Sequence, residues 1–273
     1  MLLKKAVVRL NILHEIAIRT KERIEQQKKI LPLAEVIELA QTTDSGYFPF
    51  ENALETDDIA FICEIKKASP SKRIIAHDFP YRRIAKEYEA AGATAISVLT
   101  EPFYFKGDNH YLQEIANDVS IPLLRKDFTV DSYMIYEAKL LGANAVLLIC
   151  TLLDLDTLAE YITIAHRIGL SALVEVHNEE EVEMALKAGA RIIGVNNRNL
   201  KTFEVDIRLS ERLKKLVPAN ILFISESGIK TQKDIAKLRE IGADGVLIGE
   251  TIMRSKNKYQ EILNLRGDYI DKS

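Results

Sequence analysis

The sequence predicts an α/β protein, a closed (β/α)8 TIM barrel preceded by an N-terminal helical extension. Three observations lead there. From Ile59 onward one unit recurs: a short apolar or β-branched run, a polar loop, an amphipathic helix, and often a Gly-Ala leading into the next run. Eight such runs can be read, and their near-continuous apolar character fits a parallel sheet buried on both faces. No G-x-G-x-x-G follows the first run, which favours the closed barrel over a doubly wound open sheet.

In chain order, residues 1–273 read as one domain, with 1–58 forming the helical extension. From Leu10 to about Ala40 the pattern is charged and helical. Ile12, Ile16 and Ile18 lead into Lys21-Glu22-Arg23, and Pro32-Leu33-Ala34-Glu35 opens a second helix. Gln41 to Asp58 reads as a loop with a short Phe48/Phe50 stretch. Strands are expected at 59–65, 95–99, 122–125, 145–149, 171–176, 192–195, 221–225 and 245–248. Helices are expected at 82–91, 111–117, 132–141, 155–168, 179–188, 210–216 and 233–241. Gly92, Gly142, Gly189 and Gly242 each follow such a helix, where a left-handed C-terminal cap belongs.

Composition narrows the class. A 273-residue chain with 47% apolar residues suits one barrel with a sizeable core. A net charge of −3 argues against a nucleic-acid partner, which calls for a basic excess. Cys63 and Cys150 lie in apolar runs and read as small buried hydrophobes, consistent with a reducing, cytoplasmic compartment. No cleavage signature is seen at the start, and no apolar run approaches the roughly 18 residues of a membrane span. His14, His77, His110, His166 and His177 lack metal-ligand spacing, so neither a metal nor a cofactor is expected. A monomer is the default.

Barrel enzymes work where the strands end and the following loops begin. Strand one ends in Glu64, Lys66 and Ser69; Glu64 and Lys66, two apart, share a strand face as an ion pair at the mouth of an anion-binding pocket. Strand two leads into Phe103-Tyr104-Phe105-Lys106-Gly107, and strand three ends in Arg125-Lys126-Asp127-Phe128. Glu175 ends strand five, and Asn196-Asn197-Arg198-Asn199-Leu200 ends strand six. Strand seven gives Ser225-Glu226-Ser227-Gly228-Ile229 and strand eight Ile248-Gly249-Glu250-Thr251. So many polar residues at one topological level argue against random loop charges.

Ser227-Gly228 and Gly249-Glu250 lead into helices, where small residues let backbone N–H groups cradle a phosphate. For Gly249 alone the plainer reading is a turn glycine. Lys126 and Glu175 are the acid–base candidates. A lysine among other charges, Lys66 included, is expected to lose proton affinity, and a carboxylate at the end of a buried strand to gain it. The plainer reading of both is a structural ion pair, Lys126 with Glu64 or Glu175.

These segments match a known family. Glu64-Ile65-Lys66-Lys67-Ala68-Ser69-Pro70-Ser71, Leu124-Arg125-Lys126-Asp127-Phe128, Leu173-Val174-Glu175-Val176, Gly194-Val195-Asn196-Asn197-Arg198-Asn199-Leu200 and Ser225-Glu226-Ser227-Gly228-Ile229, in this order, resemble indole-3-glycerol phosphate synthase. The resemblance runs from Ile59 to Arg254, and the helical extension is similar too.

It implies a tryptophan-pathway lyase without a cofactor. The substrate would be 1-(o-carboxyphenylamino)-1-deoxyribulose 5-phosphate, converted to indole-3-glycerol phosphate with loss of carbon dioxide and water. By the same resemblance Lys126 is the general acid and Glu175 the base. Lys66 meets the substrate carboxylate, while Glu64 and Asn196 hold the polar network and the substrate hydroxyls. Ser69, Ser227, Gly228, Gly249 and Glu250 match phosphate-binding positions. Phe105, Leu147 and Leu200 pack the anthranilate ring, and Arg198 holds the loop charges in register.

Two departures stand out. The family often has Gly where this chain has Arg73, in a loop that closes over substrate, and some members have Ser where it has Glu250. The Glu250 side chain is expected to point away from the phosphate, since a carboxylate would repel it. Competing readings are another phosphate-binding barrel enzyme, such as a phosphoribosyl isomerase, and a non-catalytic barrel that binds a sugar phosphate.

Overall fold

Eight parallel strands close into a barrel in the computed structural model, which describes residues 12–43, 47–199 and 202–267. They are β1 (Ala60–Ile65), β2 (Ala95–Leu99), β3 (Leu123–Lys126), β4 (Ala145–Ile149), β5 (Ser171–Val176), β6 (Ile192–Asn196), β7 (Leu222–Glu226) and β8 (Gly245–Ile248). Each pairs with the next, and β8 returns to β1 with Ala60 opposite Gly245 and Cys63 opposite Ile248. All the expected strands form, their ends within about one residue of the sequence pattern.

Strand alternation divides the core in two. Ala60, Ile62, Leu124, Leu147, Leu173 and Leu247 fill the barrel interior. Phe61, Cys63, Val98, Val146, Leu148 and Val174 face the surrounding helices. Both cysteines are buried and free, and burial pushes the Cys63 thiol up to about 12. The glycines expected to cap helices do so: Gly92, Gly142, Gly189 and Gly242 have φ of 81°, 83°, 85° and 75°. Among the described residues no helix is long and apolar enough to cross a membrane.

Among the described residues three helices precede β1. α1 (Ile12–Ile30) buries Leu13, Ile16, Thr20 and Ile24, one stripe at helical spacing. α2 (Leu33–Thr42) starts where Pro32 fixes the backbone. α3 (Pro49–Leu54) corrects the expected loop: Phe50 and Leu54, four apart, are fully buried and belong to the barrel-interior cluster. Too short to show a repeat, this segment hid its helical period. Two helices beyond the sequence expectation, α11 (Glu250–Arg254) and α12 (Lys258–Arg266), follow β8. Between β1 and β8 lie α4 (Tyr81–Ala90), α5 (Asn109–Ala116), α6 (Tyr133–Leu140), α7 (Leu155–Arg167), α8 (Glu179–Lys187), α9 (Arg208–Lys214) and α10 (Gln232–Glu240).

Two ion pairs fasten α1 to the loop after β3. Arg23 Nη2 lies 2.9 Å from Asp127 Oδ2, and Lys28 Nζ lies 2.6 Å from Asp131 Oδ2. Asp127 is buried and also accepts from Thr100 Oγ1 at 2.7 Å. The flanking Arg125 is 2% exposed and faces outward, donating to Met134 O at 2.8 Å and Glu137 Oε2 at 2.6 Å. Alternation therefore aims its neighbour Lys126 into the barrel.

Candidate active site

At the C-terminal ends of the strands lies a cavity of about 440 Å³. Lys126 Nζ stands at its floor, 2.9 Å from Glu175 Oε2 and 3.1 Å from Glu226 Oε2. Glu175 Oε1 accepts from Asn196 Nδ2 at 3.2 Å. Glu64 and Lys66 form the expected ion pair beside this group. Two glycines make room for the carboxylates. A Cβ on Gly249 would overlap Glu64 Oε1 and come within 3.1 Å of Lys66 Nζ. One on Gly194, in mid-β6, would overlap Glu226 Oε1 and lie 3.3 Å from its Cδ.

The charge states differ from the sequence expectation. Burial alone lowers the proton affinity of Lys126, but Glu175, Glu226 and Glu64 outweigh it and hold the ammonium above the usual lysine range. Lysine's neighbours here are mostly carboxylates, so the expected loss of affinity becomes a gain. Glu175 is corrected the other way. Burial raises its affinity, yet Lys126 and His177 overcome burial and hold it below the usual carboxylate range. The carboxylate with raised affinity is Glu226, brought up to about 7 by burial, against the pull of Lys126, with the Glu175 and Glu64 charges adding to the rise. Of the two structural pairings expected for Lys126, the one with Glu175 forms, and the one with Glu64 is replaced by one with Glu226.

One wall of the cavity is apolar. Phe105 and Phe128, ring centroids 5.9 Å apart, and Leu147 meet Leu13 and Ile16 from α1. The opposite side carries Ser69, Ser227, Gly228 and Gly249. Ser227 and Gly228 both have left-handed backbones, with φ of 66° and 86°, so two successive residues turn the chain sharply at the rim. Glu250 does not point away from this side: its carboxylate lies 3.1 Å from Arg254 Nε, 3.6 Å from Arg198 Nη2 and 3.8 Å from Lys72 Nζ. Its charge is drawn to the cations of two loops. Arg198 also donates to Phe203 O at 3.3 Å. Arg73 directly follows the turn of a short hairpin and pairs with Ser69, with φ of 55°, a conformation that glycine adopts at no steric cost.

Thus Glu64, Lys66, Ser69, Phe105, Lys126, Leu147, Glu175, Asn196, Arg198, Ser227, Gly228, Gly249 and Glu250 line one cavity. Leu200 lies outside the described residues.

Comparison with known proteins shows the family. The family model for indole-3-glycerol phosphate synthase matches residues 13–265. The chain belongs to this family. It is similar to the indole-3-glycerol phosphate synthase of Ruminiclostridium cellulolyticum, 59% identical over 257 residues, covering 94% of this chain and 99% of the relative. The synthase of Endomicrobium trichonymphae is 52% identical, covering 93% and 99%. Among solved structures, 3-hexulose-6-phosphate synthase from Salmonella typhimurium superposes with a TM-score of 0.63 at 15% identity, covering 76% of this chain and 96% of that one, a likeness of fold. As an indole-3-glycerol phosphate synthase, the chain is a decarboxylating lyase of tryptophan biosynthesis.

Sequence reasoning gave no role to Glu226, His177 or the α1 residues that line this synthase's cavity. Gly194, interrupting the apolar run of β6, was the signal for a bulky neighbour such as Glu226. For His177 the signal was its position two residues after Glu175, on the same face of an extended chain. Leu13 and Ile16 gave no such cue, because a buried helix stripe looks the same whether it meets a core or a cavity.

Proposed function

We propose that the cavity closes the indole ring of 1-(o-carboxyphenylamino)-1-deoxyribulose 5-phosphate with Lys126 as general acid and Glu175 as general base. The observation that carries this is the contact of Lys126 with two carboxylates at the floor of a site that is apolar on one side and polar on the other. At neutral pH the lysine is protonated and Glu175 ionised, the states an acid and a base need.

Substrate seated between them parts the ion pair. Lys126, with fewer carboxylates near it, then gives its proton to the ketone oxygen as the ring carbon bearing the carboxylate attacks the ketone carbon. Carbon dioxide leaves and restores the aromatic ring. The hydroxyl on the former ketone carbon, protonated by Lys66, departs as water while Glu175 takes a proton from the neighbouring methylene. Lys66 meets the substrate carboxylate, and Glu64 and Asn196 hold the hydroxyls. The anthranilate ring packs on Phe105 and Leu147, alongside Leu200.

Ser69 and the backbone of Ser227, Gly228 and Gly249 take the phosphate. Glu250, rather than binding it, orders Arg198 and Lys72 at the rim. The chain acts without a cofactor as a cytoplasmic monomer, and 1–273 is one domain with 1–58 as its helical extension. The α1 side chains that complete the cavity wall support that single unit.

Turnover of the carboxyphenylamino deoxyribulose phosphate in buffer with EDTA tests this directly. The chain has no tryptophan, so indole emission rises over a tyrosine background. Tight binding without turnover would reject the catalytic assignment.

A further inference from the structure

His177 lies just beyond β5, on the Glu175 side of the chain, with a side chain 15% exposed. Its ring is wedged between two carboxylates. Nε2 stands 3.3 Å from Glu175 Oε1, an ion-pair approach without hydrogen-bond alignment. Nδ1 stands 3.1 Å from Glu181 Oε2. Glu181, in the first turn of α8, is itself fixed, accepting from the His177 backbone N–H at 2.7 Å and from Thr151 Oγ1 at 2.7 Å. An imidazolium presents an N–H to both carboxylates, whereas a neutral ring serves only one.

We infer that His177 is a positioning residue: as an imidazolium anchored by Glu181, it and Asn196 hold Glu175 Oε1, leaving Oε2 to face Lys126 and the substrate. This rests on Glu175 being the base.

The surroundings favour the charged ring. Burial opposes it, but Glu175 and Glu181 outweigh burial and bring His177 up to about 10. The ring also borders a second cleft with Arg198, Arg208, Arg212, Glu204 and Asp206. Arg208 is paired with Asp206 at 2.8 Å and Arg212 with Glu179 at 2.7 Å, so those cations are already engaged by carboxylates. No other part of the proposed mechanism gives this histidine a task, and Glu181 lies outside the main cavity.

The test is the pH dependence of kcat and kcat/KM for the full chain and three variants, with thermal unfolding as a check on folding. In His177→Gln the cation beside Glu175 is gone, so Glu175 gains proton affinity and the acid limb moves to higher pH. Its kcat falls about tenfold or more, as expected for a misplaced base, while KM stays within about twofold. In Glu181→Gln the anchor is lost and His177 holds its proton less tightly. An alkaline limb then enters at lower pH than in the parent, even if His177→Gln folds poorly. Parent-like profiles in both variants would overturn the inference, and so would a lower kcat with unmoved limbs, which signals structural support alone. Glu175→Gln separates the two levels. If it is inactive while the His177 and Glu181 variants behave as the parent, only the positioning role fails. If it remains fully active, the base assignment itself falls.

Discussion

Gly194→Ala isolates the placement of one carboxylate without removing any functional group. The new methyl would overlap Glu226 Oε1 while lying 3.1 Å from Leu173 Cδ1 and 3.3 Å from Glu226 Cδ. Carbon–oxygen contacts settle near 3.3 Å, so the carboxylate must retreat by about 1 Å. Glu226 is 2% exposed and its Oε2 is 3.1 Å from Lys126 Nζ, so that retreat pulls on Lys126, the proposed acid. A misplacement of this size costs about 10²-fold in rate, and overpacking costs about 1–3 kcal/mol of stability. The assay is indole-3-glycerol phosphate formation with urea unfolding alongside. Gly245→Ala is the control: its methyl would crowd Ile224 Cδ1 at 2.8 Å, at the opposite end of the barrel from the site. It should lose stability and keep kcat. A Gly194→Ala enzyme with parental kcat, or a Gly245→Ala enzyme equally slow, would refute the link from Gly194 through Glu226 to Lys126.

Lys126→Ala and Glu175→Gln should each lower kcat by about 10²–10⁴, far more than they weaken substrate binding, and steady-state kinetics with an unchanged kcat would sink the roles. Gly228→Asp, at φ 86° and with a Cβ that would overlap Val205, should chiefly raise KM; a large kcat defect at normal KM would count against a phosphate cradle there. Arg23→Met leaves the buried Asp127 with Arg125 at 3.8 Å as its remaining cation, and urea unfolding should show a loss of about 3 kcal/mol, with little or no loss counting against the pair. His166, held down to about 4 by burial and Arg191, stays neutral when folded and gains a proton near pH 6.5 when unfolded. Its contribution to stability is therefore present above about pH 6.5 and lost as pH falls toward 4, and His166→Asn should flatten that acid limb of the melting temperature.

The barrel was legible because the strands are apolar on both faces and a glycine closes four of the helices between them, at Gly92, Gly142, Gly189 and Gly242, signals that repeat along the chain. Site membership was legible for a related reason, since strand ends in a barrel share one level in space. Charge state was not. Whether Lys126 gains or loses proton affinity depends on which of Glu64, Glu175, Glu226 and Lys66 lie nearest, and strand ends leave that open until side-chain directions are known. Glu250 shows the same limit: its partners Lys72 and Arg198 come from loops far apart in sequence. The α3 helix was hidden because Phe50 and Leu54 offer a single turn of pattern.

The pairing of β8 with β1 also has a consequence for synthesis on the ribosome. The chain emerges from its N-terminus, so residues 60–63 wait through almost the whole of translation for 245–248. Until then the sheet has two open edges, which are hazards for association with other chains. Glu64 also lacks the Gly249 backbone that packs beside it. The join is reinforced from the last described helix, where Arg266 Nη2 donates to Gly92 O at 2.6 Å, linking it to the loop between α4 and β2. Turnover in this protein is thus a report on ring completion: a nascent chain halted before Gly245 has Lys126, Glu175 and Asn196 but not the closed ring that brings them together.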